Sequence, residues 1–403
     1  MKPLEVDVLV FGGGAAGLWM LDELRRLGFA ALLVESRALG AGQTICAQGI
    51  IHGGIKYSLA GLLSDSARAI REMPQVWRDC LAGRREPELR ETAVLADSCL
   101  LWRTDSWTGK LGMTAASAGL RSRVRLLKPA ERPGVLAGCP GDVLAVDEPV
   151  IDAASLLRNL AQRNPGRILR IAADPGPRFA SQAGPGVTYV TLTHPESGAT
   201  LQLRPRHVVF AAGAGNPGLR RRAGLENGAA QVRPLHMVLL NGDLPPLFGH
   251  CIDGAKTRAT ITSATSASGR TVWHVGGQIA EDGVALSEAE VIALARRELV
   301  AVLPGLDLRR VQAAAYRVDR AEPRTSGNAR PSGPVIRREG NVLTAWPTKL
   351  ALAPRLAIMA VEEVGAPVAG PDAIQDLPTD WPRPEVARPP WETCATWHGA
   401  DAS

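Results

Sequence analysis

Gly12, Gly14 and Gly17 stand as GxGxxG between an apolar run, VDVLVF at residues 6–11, and a leucine-rich stretch. The first glycine of such a set permits a tight turn and the second lets the backbone approach a pyrophosphate. The third allows close packing of a helix on a strand. The free amides at the start of that helix, around Ala15 and Ala16, and the positive end of its dipole would meet phosphate charge. Glu35 follows Gly17 by 18 residues, at the end of the next apolar run and beside Ser36. A carboxylate there can accept hydrogen bonds from both hydroxyls of an adenosine ribose. The predicted chemistry is dinucleotide binding, and the alternative is a glycine turn that merely packs.

The elements that must position these residues are legible around them. Residues 6–11 read as a strand, the helix after the turn carries Leu18, Leu21, Leu24 and Leu27 on one face and ends at Gly28, and Ala30–Val34 reads as a second strand. This is a βαβ beginning. A glycine-rich loop over 40–54 precedes an expected helix over 59–81. Further helices are expected over 151–162, 287–303 and 350–364, a hairpin over 186–203, and antiparallel strands over 233–241, 257–262 and 270–279. His207–Ala211 and Val342–Trp346 are apolar strands, the first closed by a second glycine turn at Gly213 and Gly215. The expected fold class is α/β, α+β overall: a Rossmann-like dinucleotide domain from residues 1–75, 145–228 and 330–370, with an inserted antiparallel-sheet substrate domain from 76–144 and 229–329. The proline-rich tail, 371–403, is expected to be loosely ordered.

FAD and NAD share the glycine fingerprint. The loop of residues 36–57 and the second glycine turn favour FAD, and the chain has no second GxGxxG for a separate nicotinamide nucleotide. Cofactor contacts are expected from Gln43, Thr44, Gln48 and Gly49 in that loop, and from Gly213.

Four segments carry a resemblance: DVLVFGGGAAG at 7–17, IIHGGIKY at 50–57, RPLHMV at 233–238, and AWPTKLALAPRLA at 345–357. They resemble the family of FAD-dependent oxidoreductases that includes glycerol-3-phosphate dehydrogenase, D-amino acid oxidase, glycine and sarcosine oxidases and L-2-hydroxyglutarate dehydrogenase. The second segment is similar to the IHGGLRY type of glycerol-3-phosphate dehydrogenases, and the last lies without gaps on their GGKLTTYR region, which places Lys349 and Leu350 at the cofactor. Pro347 and Thr348 replace a glycine pair there, and only Arg320 can be carried over from a glycine-arginine-proline segment.

The resemblance implies a hydride donor carbon near the flavin, a proton acceptor, and cations that hold the substrate. His236 is the first candidate for the proton acceptor, since imidazole titrates near neutrality; the alternative is a histidine satisfied within a sheet. His52 is expected to pack near or orient the ring, or to act in catalysis. Lys56 and Tyr57 follow Gly53 and Gly54 and would reach the substrate pocket. Arg320 would fork onto a carboxylate or phosphate, and Lys349 would neutralise charge on the flavin. These cations select a small anionic substrate, with a quinone, oxygen or a carrier protein as electron acceptor. An amino acid or amine oxidase, and a redox-sensing or structural FAD protein, are the rival readings. Cys46 could attach the flavin covalently, but its small and apolar neighbours favour non-covalent FAD.

The whole-chain figures exclude other classes. The 46 basic and 40 acidic residues are scattered, so nucleic acid is not an expected partner. Six dispersed cysteines form no CxxC pair, so no metal cluster or disulfide framework is indicated. No apolar stretch is long enough for a membrane span, which leaves peripheral contact open, and a cytoplasmic location is expected.

Overall fold

The first apolar run forms β1 (Leu4–Phe11), and the glycine turn leads into α1 (Ala15–Arg26) and β2 (Ala31–Glu35). The structure is a computed structural model that describes residues 3–54, 70–104, 124–182, 186–253, 256–329, 331–375, 377–394 and 396–399. In β1, Val8 and Val10 enter one core cluster while Leu9 and Phe11 enter another. Both faces are covered, which is why this parallel strand reads as a continuous apolar run. Leu18, Leu21 and Leu24 of α1 are buried, each contributing roughly 1.5–3 kcal/mol. Leu27, expected on the same face, is 48% exposed, because α1 ends at Arg26 and Gly28 turns the chain away with φ +84°.

The first sheet runs in the order Val335–Glu339, Val342–Trp346, Thr200–Phe210, β1, β2, Ile168–Arg170. β1 pairs in parallel with β2 and with Thr200–Phe210, which pairs in parallel with Val342–Trp346. The three separated apolar runs therefore meet side by side. Tyr189–Thr193 adds the expected hairpin. On one face α1 packs with the helices Ala153–Gln162 and Ala353–Val364.

The second sheet also has eight strands, in the order Gln312–Pro323, Ala230–Gly242, Thr271–Gly276, Lys256–Thr265, Gly249–Asp253, Cys99–Arg103, Val143–Val146, Val124–Leu126. Among the described residues its one parallel pairing joins Gly249–Asp253 to Cys99–Arg103. The strand expected over 270–279 stops at Gly276, where Gly277, φ +80°, sends the chain into the short helix Gln278–Asp282. That helix and Glu288–Val302, opened by a Ser287–Glu290 capping box, cover one face of this sheet. Together the sheets and their helices make the mixed α/β architecture that the sequence pattern implied.

The tail departs from expectation, for it is ordered against both sheets. The Leu39 amide donates to the Glu385 carbonyl at 2.7 Å and the Ala387 amide to the Leu39 carbonyl at 2.9 Å. Buried Trp381 donates its indole N–H to the Arg170 carbonyl at 2.6 Å, and His398 pairs with Ala313. The prolines supply no amide donors, but the residues between them do, and the tryptophan supplies apolar burial.

Candidate functional site

The glycine turn is built as a cradle. Gly12 has φ +112°, and a Cβ there would lie 2.6 Å from the Ala212 Cα, so both conformation and space require glycine. A Cβ on Gly17 would come within 2.0 Å of the Gly12 carbonyl oxygen, the close approach of helix to strand. At Gly14 a Cβ would sit 3.1 Å from Thr44 Oγ1, which accepts from the Ala15 amide at 3.2 Å. α1 has no side-chain cap and no acidic residue in its first turn. Its positive end is therefore suited to an external anion. Glu35 Oε2 accepts from the Gly13 amide at 2.8 Å, while Oε1 accepts from the Ser36 and Arg37 amides at 2.8 and 2.9 Å. The carboxylate is thus fixed beside the turn. These residues fit a dinucleotide with a diphosphate and an adenosine ribose.

The loop after β2 joins the two sheets. Gly49, φ +73°, lets it press on Val150–Ile151, where a Cβ would be 2.0 Å from the Ile151 carbonyl oxygen. Gln43 Oε1 accepts from the Ala321 amide at 3.1 Å, and Gln48 Nε2 donates to the Thr260 and His274 carbonyls at 3.0 and 2.7 Å. Both glutamines are held by the second sheet. Gly213, φ +55°, stands beside Gln43. Asn216 ties the second glycine turn to the last parallel strand, accepting from the Ala212 amide and donating to the Ala345 carbonyl. Lys349 and Leu350 open the turn that begins the helix Ala353–Val364. Thr348 before them has φ +62°, the one non-glycine residue with positive φ among the described residues.

Three side chains from distant segments converge. His52 Nδ1 lies 3.2 Å from Glu148 Oε2, and the Gly53 amide donates to Glu148 Oε1 at 2.5 Å. The His52 and His250 rings are 5.2 Å apart at 33°, and His250 Nδ1 meets Thr260 Oγ1 at 2.8 Å. Glu148 and His250 are buried, at 4% and 1% exposure. Lys56 and Tyr57 lie outside the described residues.

The structure does not bring His236 to this cluster. It is buried with Nδ1 3.0 Å from the Gly283 carbonyl oxygen, on the face that Val238 and Leu240 turn towards the covering helices. Arg320 reaches the Arg233 carbonyl at 3.3 Å and Glu281 at 3.2 Å. Glu148 and His250 escaped sequence reasoning because neither sits in a spaced motif, and an acidic residue before the apolar PVI was the only signal for Glu148.

Next to the loop, the Tyr316 hydroxyl lies 2.5 Å from His274 Nε2. Burial lowers His274 to about 4 and pushes the Cys46 thiol up to about 11, even with the Tyr316 hydroxyl beside it. Cys46 is therefore protonated at neutral pH and a weak nucleophile.

A family model described as FAD dependent oxidoreductase matches residues 7–351. The chain belongs to this family. This FAD-dependent oxidoreductase is 41% identical over 402 residues to a probable FAD-dependent oxidoreductase of Pseudomonas aeruginosa, covering 97% of this chain and 98% of that one. A crystal structure of an FAD-dependent oxidoreductase from the same organism aligns with TM-score 0.81 and 38% identity over 97% of this chain and 99% of that chain. An L-alpha-glycerophosphate oxidase from Mycoplasma pneumoniae, solved with FAD bound, shares the fold with TM-score 0.61 at 15% identity, over 94% of this chain and 100% of that one. Among the described residues no helix is long and apolar enough to cross a membrane.

Proposed function

We propose that this oxidoreductase oxidises the CH–OH group of a small anionic metabolite, a hydroxy acid or a sugar or glycerol phosphate. The observation that carries the reading is the contact between His52 and Glu148 at the end of the loop that follows the dinucleotide cradle. Bound FAD supplies two-electron, hydride-accepting chemistry. The amides of the Gly12–Gly17 turn would hold its diphosphate and Glu35 its ribose, and Gly213, Lys349 and Leu350 would contact the rest of the cofactor. Glu148 accepts from His52 Nδ1–H, which fixes the tautomer and leaves Nε2 to take the proton from the substrate hydroxyl. The buried carboxylate also stabilises the imidazolium that results. Lys56, Tyr57 and Lys349 supply the charge and the phenol that select an anion. Arg320 would have to exchange its Glu281 contact to take part. A quinone, oxygen or a carrier protein would serve as the electron acceptor. All six cysteines are free thiols, which supports a reducing, cytoplasmic setting.

Glu148 also favours a second reading, an amine or amino acid substrate, because its charge would suit an ammonium group. The test is an anaerobic metabolite screen that follows flavin absorbance at about 450 nm. Bleaching by a hydroxy acid or sugar phosphate is expected. Bleaching by amino acids alone, with peroxide formed in air, would select the second reading, and purified protein without flavin would defeat both.

A further inference from the structure

We infer that His52, Glu148 and His250 form a binding site for one divalent transition-metal ion of the zinc class, and that its occupation switches off substrate oxidation. The inference about inhibition rests on the role given to His52 above; the site itself rests on geometry. The donor atoms of the three side chains all lie within 4.8 Å of one another. Zinc bonds of about 2.0–2.1 Å in a tetrahedral arrangement set neighbouring donors about 3.3 Å apart. The 3.2 Å between His52 Nδ1 and Glu148 Oε2 already meets that spacing.

The surroundings favour such an ion in three ways. His250 stands on Gly249–Asp253, inside the second sheet, and Thr260 Oγ1 fixes its Nδ1. A hydroxyl holding one ring nitrogen orients the other as a ligand, as partners outside the coordination sphere do at metal sites. Glu148 is oriented by the Gly53 amide, so its carboxylate does not have to be ordered on binding. The buried carboxylate gains from an adjacent cation. Two nitrogens and one oxygen suit zinc, cobalt or nickel better than calcium or magnesium, which take oxygen ligands. Three protein ligands leave a position for water or for an anion such as the substrate's own carboxylate or phosphate.

An ion on His52 Nδ1 leaves the ring proton on Nε2, the nitrogen that has to accept the proton of the substrate. The experiment uses flavin-loaded full-length protein stripped with a chelator and titrated with zinc chloride. Calorimetry and equilibrium dialysis measure binding, and flavin absorbance measures cofactor content. One zinc per chain is expected, with affinity weakened roughly tenfold or more in His250→Asn and in Glu148→Gln. The asparagine can keep the Thr260 hydrogen bond, and unchanged flavin content and melting midpoint will show that the fold persists. No binding beyond that of a His52→Ala/His250→Ala double variant overturns the site, even in a protein that substrate still reduces. Undiminished binding in His250→Asn overturns it equally. Stoichiometric zinc with unimpaired flavin reduction overturns the switch and the role of His52 together.

Discussion

His52 and Glu148 are 96 residues apart in the chain and meet at 3.2 Å. Glu148→Gln keeps the size and an acceptor for the Gly53 amide, but its amide nitrogen would donate to His52 Nδ1 and impose the opposite tautomer. Nε2 would then carry the proton. We expect flavin reduction by substrate to slow roughly 10- to 100-fold with flavin content unchanged. An unchanged rate in stopped flow would remove the pair from the chemistry.

Gly17→Ala tests the cradle. Its methyl group would meet the Gly12 carbonyl oxygen at 2.0 Å, so helix and turn must separate. We expect a loss of about 1–3 kcal/mol and protein that purifies with little flavin. The ratio of flavin absorbance to protein absorbance, with a thermal melt, reads both effects. Full flavin content in a normally stable variant would show that the turn tolerates opening and that the close approach is not essential.

Thr348 stands where relatives in the family resemblance carry glycine, and its φ of +62° places a β-branched residue in the left-handed region. Its hydroxyl donates to the Pro347 carbonyl at 2.6 Å, which is local compensation. Thr348→Gly removes steric strain of about 1–2 kcal/mol and adds unfolded-state freedom worth somewhat less. A net gain of roughly 0.5–1 kcal/mol is expected in urea melts; a loss would mean that the hydroxyl contact outweighs the strain.

Cys46 is held at about 11 by burial. Acid precipitation should therefore release all the flavin, and alkylation of native protein at pH 8 should leave Cys46 largely unmodified in a peptide map. Flavin retained on the Cys46 peptide would contradict non-covalent binding.

The dinucleotide half of the molecule was legible in the sequence because its signals are local. Gly12, Gly14, Gly17 and Glu35 declare themselves by spacing within one βαβ unit, and the apolar runs at 6–11, 207–211 and 342–346 are what a doubly covered parallel sheet demands. The facing cluster was not legible. His52, Glu148 and His250 come from a loop, a turn and a central strand, and only the pairing of the second sheet together with the bridge of Ile50 to Val150 brings them together. Gln312–Pro323 was missed as a strand because its alanines and alternating charges lack a clear apolar face. His236 drew attention as a histidine in a motif, yet strand alternation turns it towards the covering helices. The tail was misjudged from its prolines, whose neighbours carry the hydrogen bonds.

Asp7 links three parts of the dinucleotide half, and it gives the stability a specific acid limb. Its Oδ1 accepts from the Val368 and Ala369 amides at 3.0 and 2.9 Å, and its Oδ2 from the Ala30 amide at 2.9 Å. Burial alone would raise its pKa, but these amides and the Arg206 guanidinium outweigh burial and hold the carboxyl below its ordinary value. A carboxyl whose folded pKa is depressed contributes stability that is fully present above the unfolded value, near 4, and is lost as pH falls through the folded one. Asp7→Asn removes the charge and turns an amino group towards donor amides. We expect it to cost about 1–3 kcal/mol at pH 7. The gap between the two proteins should narrow in urea melts between pH 5 and the acid limit of the folded state, because the wild type is also losing its carboxylate there. A gap that stays constant over this range would show that Asp7 acts through shape alone, with its charge contributing nothing.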